Sequence, residues 1–87
     1  MSVENPPAVD ADVTVYYVSE RSESVVSRTG RLAKEAVTAS DHTVGFLVEP
    51  DTTSRVTLIN YDTGAVFSRS RGRTTYLGQV ERLEIAE

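Results

Sequence analysis

The 87-residue chain has no cysteine, no tryptophan, one histidine, one methionine and one lysine. Without cysteine there are no disulfides and no thiolate sites for zinc or iron–sulfur clusters. The single histidine cannot build a zinc centre alone. No stretch approaches the roughly 18 apolar residues that a spanning helix needs. The N-terminus has no basic region leading into an apolar core. The composition therefore points to a soluble, cytoplasmic protein that uses no cofactor.

The residues present are β-prone. There are thirteen Val and ten Thr against five Leu and two Ile. β-branched side chains suit a pleated, half-buried surface and lose χ1 freedom in a helix. Arginine outnumbers lysine eight to one, and thirteen acids give a net charge of −4. Low lysine with an acidic surplus looks like the proteins of salt-loving archaea; a GC-rich genome alone gives the same arginine bias.

Residues 1–11, with Asn5, Pro6 and Pro7, read as a disordered N-terminal tail. Residues 12–87 read as one β domain. Six runs follow, each closed by turn residues. Asp12–Ser19 sets Val13, Val15 and Tyr17 on one face. A second run from Ser24 is broken at Thr29-Gly30, and its continuation over 31–39 is ambiguous. Leu32 to Ala36 are good helix formers, so a short helix over 31–38 is the alternative to a long bent strand. Thr43–Val48, Arg55–Tyr61, Ala65–Arg71 and Thr74–Ile85 are strands, the last bent at Gly78. Asp62-Thr63-Gly64 fits a three-residue hairpin loop, and Gly72-Arg73 fits a type II′ turn.

Those turns predict that Ile59 faces Phe67 and that Arg69 faces Tyr76. Ile59, Tyr61, Phe67, Tyr76 and Val80 then share one face, with Val56, Leu58, Val66 and Leu77 on the other. Apolar residues on both faces require a sheet that curls on itself. The expected fold is all-β: a small antiparallel meander curled into an SH3-like or Sm-like barrel of five to six strands.

Little catalytic chemistry accompanies this fold. Asp62-Thr63-Gly64-Ala65 resembles the active-site loop of retroviral-type aspartic proteases over four residues. That family carries its loop early in the chain and follows it with a flap and a second apolar–apolar–glycine motif, for which Leu77-Gly78 is a poor substitute. The plain reading of Asp62 is a loop cap. His42 beside Asp41 lacks a positioned nucleophile and an oxyanion hole. Asp10 with Asp12, and Glu49 with Asp51, lack the spacing of a calcium loop. The sequence is thus read as non-enzymatic.

What stands out is Ser68-Arg69-Ser70-Arg71-Gly72-Arg73. From Gly64 to Val80 there are three arginines and no acid, in a chain of net charge −4. Arg71-Gly72 in a β-turn resembles the RG element of Sm-like RNA-binding proteins over two residues. Arginine forks match phosphate oxygens, and exposed aromatics stack on unpaired bases. Arg69, Arg71, Arg73 and Tyr76 are therefore the candidate nucleic-acid-binding residues, for RNA or DNA. The competing expectations are that Asp62, Glu81 and Glu84 neutralise these arginines, or that open strand edges serve self-association or a protein partner.

Overall fold

The computed structural model describes residues 7–49 and 55–85. Six antiparallel strands run in chain order and close into a small barrel: β1 Asp12–Ser19, β2 Val25–Val37, β3 Thr43–Val48, β4 Arg55–Asn60, β5 Ala65–Ser70 and β6 Arg73–Ile85. No helix occurs among the described residues. Residues 31–37 are strand, not helix, and carry a bulge. The β2–β3 register shifts between Leu32 and Lys34, which leaves Ala33 unpaired.

Closure depends on the two long strands, each shared between two partners. β2 pairs with β1 through Val25–Arg31 and with β3 through Arg31–Val37. β6 pairs with β5 through Arg73–Gln79 and with β1 through Gly78–Ile85. Gly78 is the bend. A Cβ there would strike the carbonyl oxygen of Val18, so the β1–β6 seam closes only over a glycine. The bulge at Leu77 sits just before it, and bulges sharpen bending and twist.

The interior follows strand alternation. Val13, Val15, Tyr17, Leu32, Leu47, Ile59, Tyr61, Val66 and Val80 form the core. β3 turns Gly45 and Leu47 inward and leaves Val44, Phe46 and Val48 half-buried. Gly45 is needed because Tyr61 fills that layer: a Cβ on Gly45 would overlap the Tyr61 hydroxyl.

That hydroxyl is buried and has no partner among the described residues. Burial pushes its pKa up to about 12 from 10.0, and the Glu35 carboxylate adds to the rise. The unfolded phenol ionises near 10.0 while the folded one holds its proton to about 12. Unfolding therefore releases a proton between those values, and stability falls as pH rises through them, by roughly 2–3 kcal/mol. Tyr61→Phe is expected to be no less stable at neutral pH, since it removes an unsatisfied polar group. It should also lose this alkaline sensitivity; urea midpoints at pH about 9 and about 11.5, wild type against variant, measure it.

Two corrections concern the turns. The β4–β5 loop has four residues, 61–64: Ile59 pairs with Val66 and Leu58 with Phe67. The Asn60 side chain accepts from the Asp62 and Thr63 N–H groups and fixes the loop. The β5–β6 turn is Arg71-Gly72, since Ser70 pairs with Arg73. Both turn residues have positive φ, 52° and 78°, which is a type I′ turn rather than II′. A one-residue slip in register exchanges the two faces of a strand. Phe67 and Tyr76 consequently lie outside the barrel, opposite Val66 and Ile59, and the shared face predicted for all five residues does not form.

Of the expected tail, residues 1–6 lie outside the described residues. Pro7 is buried. Asp10 donates its N–H to Leu32 O, and Leu32 donates to Ala11 O, so ordered backbone begins ahead of Asp12.

Candidate functional site

At one end of the barrel the apolar core stops and polar rows take over. Register places Ile59, Val66 and Gly78 side by side across β4, β5 and β6. The next inward row is Thr57, Ser68 and Thr75, and the last is Arg55, Ser70 and Arg73. Inward positions that would otherwise carry core residues thus carry hydroxyls and guanidinium groups. Together with Arg71 from the turn, Arg55, Ser68, Ser70, Arg73 and Thr75 line an open concavity of about 700 Å³. Beneath it Thr57 is 1% exposed, and its Oγ1 has no hydrogen-bond partner among the described residues.

The geometry favours an anion. Arg55 and Arg73 flank Ser70 on adjacent strands, so their Cα atoms are about 10 Å apart. Long guanidinium side chains can converge on a group between them. Among the described residues, Arg55, Arg69, Arg71 and Arg73 make no ion pair. The acids expected to neutralise the cluster are engaged elsewhere. Glu81 and Glu84 both pair with Arg82, at 3.8 and 3.1 Å. Asp62 Oδ2 accepts the Thr43 N–H at 2.8 Å. Elsewhere Arg28 pairs with Glu49 at 3.5 Å and Arg31 with Asp12 at 4.0 Å, while Arg21, in the β1–β2 turn, makes no ion pair among the described residues.

The four residues expected to bind together are split by the hairpin. Arg71 and Arg73 line the concavity. Arg69 pairs with Thr74 on the outer face, where Tyr76 also lies. Tyr76 is not across from Arg69 and does not stack on it. Its ring partner is Phe67, with centroids 5.5 Å apart and planes tilted by 59°. Gln79 Nε2 donates to the Tyr76 hydroxyl at 3.0 Å. The cation–aromatic contacts lie elsewhere, Arg82 over Tyr16 at 4.0 Å and Lys34 over Phe46 at 4.8 Å.

Arg55 and Thr75 lie outside the stretch that stands out in the sequence, and Ser68 and Ser70 lie within it but are not among the four candidate residues. Arg55 is remote in the chain from the arginine cluster, and only strand register brings it to Ser70. A four-residue first loop and an Arg-Gly turn would have revealed the Arg55–Ser70–Arg73 row.

The residues weighed for other chemistry have structural roles. His42 Nδ1 lies 3.2 Å from Asn60 Nδ2, half-buried beside the β4–β5 loop. Asp12 and Glu49 are the ion-pair partners named above, and Asp51 lies outside the described residues. No cluster of potential metal ligands occurs among the described residues. No family model matches the chain, and no curated protein or solved structure matches it either.

Proposed function

We propose that this protein is a non-catalytic binding module that takes the phosphate backbone of a nucleic acid into the mouth of its barrel. The observation that carries the reading is the convergence of Arg55, Arg71 and Arg73 on one concavity with no carboxylate partner among the described residues. Unpaired like charges held close together repel, and a phosphate relieves that repulsion while accepting their N–H groups. Ser68, Ser70 and Thr75 supply neutral donors beside them.

The turn adds support. Arg71 has φ 52°, a left-handed conformation that costs an ordinary L-residue roughly 1–2 kcal/mol. Asparagine or glycine would serve a type I′ turn better. Asp10, Glu23 and Asp41 share this conformation, and at the β5–β6 turn it carries the Arg71 side chain to the concavity.

The competing reading, self-association or a protein partner, rested on open edges. Closure gives every strand two neighbours, but among the described residues Val25–Gly30 pairs only with β1 and Arg73–Tyr76 only with β5, so such a contact would use these one-sided stretches of the long strands or exposed side chains such as Val18 and Val25, which face each other on β1 and β2. Salt separates the two readings. Three phosphates contacted by a single strand give a slope of about −2 in log affinity against log salt. Fluorescence anisotropy with labelled RNA and DNA oligonucleotides is expected to show that slope. Absence of binding at low salt, together with a dimer in sedimentation, would establish the competing reading.

A further inference from the structure

We propose that the nucleic acid is unpaired and crosses the rim of the β5–β6 hairpin, with a phosphate in the barrel mouth and a base against Tyr76; this rests on the phosphate-binding reading above. Two functional surfaces lie on opposite faces of the same ribbon. Ser70, Arg73 and Thr75 face the concavity. Phe67, Arg69, Thr74 and Tyr76, from alternate positions on the same two strands, face outward.

The outer surface is prepared to receive a flat group. Tyr76 remains 38% exposed. Its ring is held against Phe67 and its hydroxyl is tied to Gln79, so little side-chain freedom is lost when a base packs on it. Arg69 lies on that face, diagonal to Tyr76. It offers a cation to the backbone as the strand leaves the mouth.

From Arg73 to Tyr76 is about 10 Å along a strand. The path from the mouth over the Arg71-Gly72 tip to the outer face is longer than that, and a flexible unpaired segment can follow it. A duplex cannot: it stays stiff over roughly 150 base pairs, and its base faces are stacked against one another. A duplex laid on the mouth would reach the arginines and leave Tyr76 unused unless a base were flipped out.

Anisotropy titrations with a labelled single strand and with its duplex, as DNA and as RNA, test this at one salt concentration. The single strand is expected to bind about tenfold more tightly, within the range of base–aromatic stacking. Tyr76→Ala should cost the single strand about that factor and leave duplex affinity unchanged. Tyr76→Phe keeps the ring and should bind the single strand nearly as wild type does, and unchanged duplex binding by Tyr76→Ala controls for its folding. Arg73→Gln should weaken both ligands. Equal affinity for single strand and duplex, insensitive to Tyr76→Ala, would overturn this inference and leave the phosphate reading standing. Failure of both ligands to bind would overturn the two together.

Discussion

Replacing Arg55, Arg71 and Arg73 together with glutamine is expected to weaken oligonucleotide binding by about a hundredfold at low salt. Hydrogen bonds to charged groups are worth roughly 1.5–3 kcal/mol each when shielded, and less at an open mouth. About 1 kcal/mol apiece gives the hundredfold figure, at 1.4 kcal/mol per factor of ten. The salt slope should flatten towards zero, because it counts the counterions displaced by these side chains. Folding should survive, since the three arginines are exposed and make no ion pair among the described residues. Arg71→Asn alone is the sharper variant. It relieves the left-handed strain at φ 52°, so it should raise the thermal midpoint while weakening binding. A gain in stability with a loss in affinity at one position distinguishes a binding residue from a structural one.

The largest effect on stability is expected from Gly78→Ala. The new Cβ would meet the carbonyl oxygen of Val18 and crowd the Tyr17 ring. The obstacle is backbone that belongs to the β1–β6 pairing, with Ser19 opposite Gly78, so no side-chain rotation relieves it. Overpacking of this kind costs about 3 kcal/mol at the upper end of its usual range. Domains of this size have only about 4–13 kcal/mol of stability in total. The thermal midpoint should fall on the order of 15 °C. Gly72→Ala provides the contrast. Its Cβ would meet nothing within 4 Å, and only the φ of 78° opposes it, so its cost is about 1 kcal/mol. Thermal unfolding of the two variants side by side separates a closure glycine from a turn glycine. A similar fall for both would mean that Gly78 does not govern the seam.

Strand placement was legible because local chemistry and tertiary role agree in this chain. β1, with Val13, Val15 and Tyr17 at alternate positions, has the bounds and the buried face that alternation predicts. Apolar residues on both faces of the later strands implied a curled sheet, and closure into a barrel accounts for them. The bend at Gly78 followed from a glycine inside a strand pattern. Register was less legible, because it depends on where each turn begins. Thr63-Gly64 and Arg71-Gly72 each allow two readings, and the less usual arginine in the left-handed position was not the one that sequence favoured. The one-residue slip at the β4–β5 loop decided which side of the wall Phe67 and Tyr76 occupy, whereas the two-residue shift at the β5–β6 turn leaves the faces unchanged. The slip also hid Arg55, whose place in the site comes only through cross-strand pairing.

The most direct measurement of the arginine mouth is a titration of isotope-labelled protein with a short single-stranded oligonucleotide, followed through the arginine Nε–H resonances. Arg55, Arg71 and Arg73 are expected to shift together along one binding curve. Arg28 and Arg82, already paired with Glu49 and with Glu81 and Glu84, should remain in place. No shift at these three, or shifts spread evenly over all the arginines, would contradict it.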